Sequence, residues 1–368
     1  MLSHLSLQGL ALSVLLSAPL MLGMARVARA ETDPRFAKAE GCDHVAILLP
    51  ESDSSARYEA YDRPLLEQGL RAALPGVTLT YANANNNAAT QQSQAEAAIA
   101  KGACIMILDP KDADAAVAIV EQAAASGVPV ISYDRLIQSD DIAVYVSFDN
   151  YKVGELQGKW LVEHHTPGDK VVMINGSQTD NNALLFREGA LSQLQPLADS
   201  GAIQIVYDQF TPDWNNATAQ ANMEAALTKE KNDVQIAYVA NDGMANSVIA
   251  ALRAQGLNGK VLVTGQDATV AGIQNILTGD QGMTVYKPIP DEAQATVDLV
   301  VAMVKGQDIH DLTNATVTNR NGTEIPSVLL TPVAVTQENV AETVIADGFV
   351  TKEEVCSGLP AGTSDLCD

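Results

Sequence analysis

The chain predicts an α/β protein built from two doubly wound parallel sheets of Rossmann-like type, and three observations carry that prediction. Short β-branched runs alternate with longer Ala-rich segments of helical period, the runs fall into two sets of about five, and polar residues cluster directly after the runs. A length of 368 residues exceeds one core and fits two domains of ordinary size. Hydrophobic residues make up 47% and charged ones 18%, a balance that excludes disorder as the dominant state.

The first set of strands is expected at residues 45–49, 77–82, 105–108, 128–133 and 143–148, and the second at 170–174, 203–207, 236–239, 261–264 and 283–286. Helical stretches such as 216–229 and 244–255 lie between them, and a last helix is expected at 291–305. Beyond it the pattern loosens over 314–323 and ends in a strand at 327–332. No Pro/Gly/Ser-rich linker separates the sets, so the boundary is expected as a strand crossing near 144–149.

Residues 5–24 are mostly apolar and lead into Ala28-Arg29-Ala30, the small-x-small pattern cut by signal peptidase. A signal peptide over residues 1–30, cleaved near Ala30, is therefore expected, and with it a periplasmic location. An uncleaved anchor is the alternative. No later stretch reaches eighteen apolar residues. The 45 acidic residues against 22 basic ones, with no basic cluster, exclude a nucleic-acid partner.

Export makes the four cysteines readable as disulfides, and four cysteines allow three pairings. Cys42 and Cys104 each stand at the entrance of an apolar run, where they could share one edge of neighbouring parallel strands. Cys356 and Cys367 flank a Gly/Pro-rich tail with little core of its own. The expected pairs are Cys42–Cys104 and Cys356–Cys367, with free buried thiols as the alternative. No Cys-x-x-Cys spacing occurs and the five histidines are scattered, so neither a metal nor a cofactor is expected.

Ligands of open parallel sheets bind outside the carboxyl ends of the strands. The residues found there are Asn83-Ala84-Asn85, Asp109, Asp134-Arg135 and Asp149-Asn150 in the first set. In the second they are Asn175-Gly176, Asp208-Gln209, Asn241-Asp242, Gln266-Asp267 and Lys287. Helix capping alone accounts for an Asn or Asp at such a place. It does not account for Arg135 or Lys287, because cations are unfavourable at the positive end of a helix dipole. Adjacent hydroxyls of a sugar match paired acceptors and donors of this kind, and its apolar faces stack on rings. With only 4% aromatics, Tyr58 and Trp214 stand out in polar settings. A glycosidase pair formed by Asp134 and Asp267 is the enzymatic alternative; Arg135 beside Asp134 would keep that acid ionised, and no Gly-x-Ser-x-Gly, Walker, Gly-x-Gly-x-x-Gly or His-Glu-x-x-His motif is present. The protein is read as a non-enzyme.

Several runs resemble the periplasmic sugar-binding proteins of ABC importers, and within them the xylose-binding and multiple-aldose branch. They are Tyr133-Asp134-Arg135-Leu136-Ile137, the run 147–157 beginning Ser147-Phe148-Asp149-Asn150, Asp180-Asn181-Asn182-Ala183, Asn241-Asp242, Gly265-Gln266-Asp267-Ala268 and the run 283–288 containing Lys287-Pro288. The resemblance implies two lobes joined by a three-crossing hinge and closing on a monosaccharide. The expected lobes are 31–145 with 287–308, and 146–286 with 309–368. It also implies that Arg57, Tyr58, Asp134 and Arg135 from the first lobe bind sugar together with one or both of Asn181 and Asn182, and with Trp214, Asn241 and Asp267, from the second. Lys287, at a hinge crossing, would favour a xylose- or glucose-type aldopyranose over ribose. Tyr58 stands where xylose binders have a tryptophan, and the loop 50–56 departs from theirs. The implied partners are a membrane permease and, as an alternative role, a membrane chemosensor, with the protein itself a monomer. Ribose, an autoinducer or a nucleoside are the alternative ligands.

Overall fold

A computed structural model describes residues 38–368 except 53 and 56; the expected signal peptide lies outside the described residues. The first sheet takes β1 (His44–Leu49), β2 (Thr78–Asn83), β3 (Ile105–Leu108), β4 (Val130–Tyr133) and β5 (Val144–Phe148), all pairing in parallel. Helices α1 (Arg63–Ala73), α2 (Ala88–Ala100) and α3 (Val117–Ala125) fill the crossovers. Along β1, Val45, Ile47 and Leu49 face one apolar core while Ala46 and Leu48 face another. That two-sided burial is why the strand reads as an unbroken apolar run rather than an alternating one.

The chain then enters α4 (Asn150–His164) and builds a second sheet from β6 (Asp169–Asn175), β7 (Ile203–Phe210), β8 (Ile236–Val239) and β9 (Leu262–Val263). These pair in parallel in the order β7-β6-β8-β9. Between them lie α5 (Asn181–Asp199), α6 (Asn216–Glu230), α7 (Asp242–Ala254) and α8 (Val270–Thr278). Side-chain caps start several of them: Asp180 accepts from the Asn182 N–H, Asn215 from Thr218, and Asn241 from Met244. Strand β10 (Thr284–Tyr286) lies beside the segment after β9, with the Val285 N–H donating to the Gly265 carbonyl and the Asp267 N–H to the Val285 carbonyl.

After β10 the chain returns to the first lobe as α9 (Ile289–Val304), which packs on α1. Strands β11 (Ala315–Thr318) and β12 (Glu324–Leu330) follow, and β12 pairs in parallel with β5. This corrects the expected placement of residues 309–330 in the second lobe, and of 146–148 with it. The apolar run Val328-Leu329-Leu330 covers what would otherwise be the unpaired edge of β5. The last crossing leads to β13 (Val333–Val335), antiparallel to β10, and to α10 (Lys352–Cys356). Three segments thus join the lobes: those after β5, after β10 and after β12.

Both expected disulfides are present. Cys42 and Cys104 lie at the start of adjacent strands with Cα atoms 5.6 Å apart, and Cys356–Cys367 closes the tail at 5.4 Å. Each is worth about 3–4 kcal/mol in loop entropy. The tail packs on α8 through Val355 and Phe349 and through the Gln274 amide, which donates to the Ser357 carbonyl. Among the described residues no helix is long and apolar enough to cross a membrane.

Helices α4 and α5 meet at glycines. A Cβ on Gly154 would stand 1.8 Å from the Phe186 carbonyl oxygen, and one on Gly189 2.0 Å from that of Tyr151. Gly154→Ala or Gly189→Ala must therefore force these backbones apart, at a cost of about 1–3 kcal/mol. Urea unfolding is expected to show that loss; an unchanged midpoint would mean that the helix pair has slack.

Candidate ligand-binding site

The carboxyl ends of the two sheets face each other across a pocket lined from both lobes. The first lobe supplies Arg57 and Tyr58 from the turn ahead of α1 and Asp134 and Arg135 from the end of β4. The second supplies Asn182 near the start of α5, Trp214 after β7, Asn241 after β8 and Asp267 after β9, and Lys287 enters from the crossing after β10. Nine of the ten expected residues meet here. Asn181 does not: its side-chain oxygen accepts from the Gln138 amide at 3.1 Å. One step along a helix turns a side chain by about 100°, so Asn181 and Asn182 cannot both face the cleft.

Ser54, Ser55, Asp180, Phe186 and Gln266 also line the pocket. Phe186 lies one helical turn after Asn182, a spacing visible in the sequence as soon as the inward face of α5 is known. Asp180 caps α5 through one oxygen while its other accepts from the Trp214 indole N–H at 3.1 Å.

The site is built around Asp134. Its backbone is left-handed, at φ 53°, a conformation that costs an L-residue about 1–2 kcal/mol. The surroundings hold it there: Ser147 Oγ at 2.6 Å, Asn182 Nδ2 at 2.9 Å and the Tyr145 hydroxyl at 3.1 Å all donate to its carbonyl. Its carboxylate accepts from Tyr58 at 3.0 Å, Arg57 at 3.2 Å and Lys287 at 3.4 Å. Burial alone would raise this acid's pKa, but Arg57, Lys287 and Arg135 outweigh burial and hold it well below the usual carboxylate range. An acid so held accepts hydrogen bonds and has no proton to donate, which suits recognition rather than general-acid chemistry.

Arg135 lies 3.0 Å from Asp180 and 3.7 Å from Asp109. With Arg57 it also stands over the Tyr58 ring, 5.5 and 5.3 Å from the centroid. Trp214 is fixed by three contacts: its indole bond to Asp180, an edge contact with Phe186 at 6.3 Å, and Gly176, where any Cβ would stand 2.1 Å from the ring. Asp267 sits at φ 98° with its carboxylate 3.9 Å from Lys287.

Behind the pocket, Arg57 is also held by Asp62 at 2.7 Å and Glu292 at 2.6 Å. Three acids then share one guanidinium, with Lys287 alongside Asp134. Burial, added to by Asp134 and Asp62 and opposed by Arg57, pushes the Glu292 carboxyl up to about 8. Asp242, at the start of α7, accepts from the Thr269 N–H, Gln281 and Thr284, yet burial still pushes it up to about 7. An acid with a raised folded pKa keeps its proton after the unfolded chain has released its own near pH 4, so stability declines as pH rises from there toward the folded value. The melting temperature is therefore expected to fall between about pH 5 and pH 8, and less steeply in Glu292→Gln, whose amide can still accept from Arg57. An unaltered slope in both Glu292→Gln and Asp242→Asn would show that neither group carries the linkage.

Comparison with known proteins agrees with this geometry. Residues 46–308 match the model of a periplasmic binding protein domain. The D-xylose-binding periplasmic protein of Escherichia coli is 42% identical over 281 residues, covering 76% of this chain and 84% of its own. A multiple sugar-binding periplasmic receptor of Rhizobium radiobacter is 33% identical over 341 residues, covering 88% and 94%. Among solved structures, a carbohydrate transporter solute-binding protein of Chloroflexus aurantiacus in complex with D-glucose superposes with a TM-score of 0.76 at 32% identity, covering 84% of this chain and 97% of that one. With its paired parallel sheets, three crossings and polar pocket between the strand ends, the chain belongs to the periplasmic binding protein family.

Proposed function

We propose that this protein, exported to the periplasm, captures an aldopyranose of the xylose or glucose type between its lobes and delivers it to an ABC-type membrane permease. The observation that carries the reading is the pocket itself. Fixed acceptors and donors from both lobes, Asp134, Arg135, Asn182, Asn241 and Asp267, surround a space walled by the Trp214 and Phe186 rings. Sugar hydroxyls demand paired donors and acceptors, and the ring C–H faces demand an aromatic wall. The similarity to a D-xylose-binding protein and to a D-glucose complex supports the same ligand class.

Capture follows from geometry. A sugar touching both lobes binds the closed form more tightly than the open one, and shifts the equilibrium by that difference alone. A micromolar dissociation constant, about −8 kcal/mol, is ample for closure, after which the joined lobe surfaces present one docking face to the permease.

A thermal-shift panel tests the ligand. D-xylose or D-glucose at a hundredfold excess over Kd is expected to stabilise the protein by about 2.7 kcal/mol, with ribose much weaker; no shift with any aldose would refute the assignment. Asp134→Ala should cost at least about a hundredfold in affinity, because it removes a charged acceptor from the pocket and leaves Arg57 to Asp62 and Glu292 and Lys287 to Asp267 alone. Circular dichroism should show the variant folded, and retained affinity would remove Asp134 from the site.

A further inference from the structure

The lobes touch each other directly at the mouth of the cleft. Lys111, in the loop after β3, is 6% exposed and extends its amine across the cleft to the Asp213 carboxylate at 2.8 Å. Two more contacts bridge the lobes nearby: the Ala113 N–H donates to the Thr179 carbonyl at 3.0 Å, and the Gln138 amide to Asn181 at 3.1 Å. The Lys111 loop is itself held in place, since its backbone N–H donates to the Gln91 side chain at 2.9 Å and Gln91 donates to the Asp109 carbonyl at 2.7 Å.

On the opposite lobe, Asp213 and Trp214 are consecutive non-glycine residues in left-handed backbone, at φ 58° and 54°. Such a turn persists only where its surroundings over-determine it. Within its own lobe it has the Trp214 N–H donating to the Thr211 carbonyl and the Asp213 N–H donating to Ser177 Oγ at 3.3 Å. Lys111 is the contact made to it from across the cleft.

We infer that Lys111 is a positioning residue: by gripping Asp213 from the opposite lobe it latches the closed form and holds the turn that carries the Trp214 ring into the pocket. Lys111 does not line the pocket, so it acts on ligand binding only through closure and through Trp214. The latch slows opening, and its loss appears in the dissociation rate more than in the association rate.

The inference takes the cleft as the sugar site proposed above, and its test separates the two. Lys111→Met keeps the length of the side chain without its charge; Asp213→Asn does the same while keeping a residue that tolerates left-handed backbone. Spin labels placed one on each lobe report the closed population of the protein without added sugar. Both single variants are expected to lower that population to the same level, and the double variant no further, with Lys111→Arg restoring it. With D-xylose or D-glucose bound, the same variants should raise koff about two- to fivefold, the size of a partly exposed ion pair, and leave kon unchanged. Identical distance distributions in wild type and variants, additive effects in the double variant, or an unchanged koff would each overturn the latch. A shift in closed population in a protein that binds neither sugar would support the latch and refute the sugar assignment.

Discussion

One buried carboxylate organises the binding cleft. Asp134 touches Arg57 and Tyr58 from the loop after the first strand and Lys287 from a hinge crossing, so a single charge ties strand end, loop and hinge together. Burying ions is expensive, and the cost is met only when every member keeps its partner. Arg57 extends the cluster inward to Asp62 and Glu292, and Arg135 extends it across the cleft to Asp180. The polar groups of the cleft are therefore oriented by one another, and a group held in place by its neighbours loses less freedom when it binds.

Strained backbone gathers around the same pocket. Asp134, Asp213, Trp214 and Asp267 all adopt positive φ, and three of the four line the pocket. Their positions follow from strand geometry. A side chain at the end of a parallel strand points above or below the sheet, and a left-handed residue there turns it outward over the strand ends instead. Asp242 supports one such turn from below, accepting from Thr269 while Gly265 and Gly272 crowd its carboxylate too closely to admit any Cβ.

The hinge and the tail share an aromatic junction. Phe349 stacks on Tyr61 at 4.7 Å and tilts against Tyr286 at 4.9 Å. Tyr61 follows Tyr58 by less than one helical turn, and Tyr286 precedes Lys287, so the disulfide-closed tail packs against the segments that aim two pocket residues.

Nearly all of the parallel-strand framework was legible from local pattern, because short β-branched runs alternating with longer segments of helical period are what βαβ units require. The Cys42–Cys104 disulfide was legible for a related reason, since parallel neighbours bring strand entrances together, and Cys356–Cys367 because its short tail has little core of its own. Asp134, Arg135, Asn241, Asp267 and Lys287 stood out because open parallel sheets bind ligands at their strand ends, and Tyr58 and Trp214 because rings are scarce in this chain. Arg57 and Asn182 were reached only through the family resemblance, and the structure brings all nine to one pocket. What local pattern could not supply is orientation and long-range pairing. Asn181 and Asn182 are chemically the same, and only the rotation of α5 decides which one faces the cleft. The assignment of residues 315–330 depended on an open edge of β5, created by strands far away in the chain, and a run such as Val328-Leu329-Leu330 pairs equally well with any exposed edge. Asp62 and Glu292 carry no local mark of their role, because an acid beside an apolar helix face reads as solvated until a buried arginine is brought against it. Composition and periodicity determined the elements and the ends at which function sits; packing alone decided which charges meet, because the energy of a buried ion depends on partners that chain order does not place beside it.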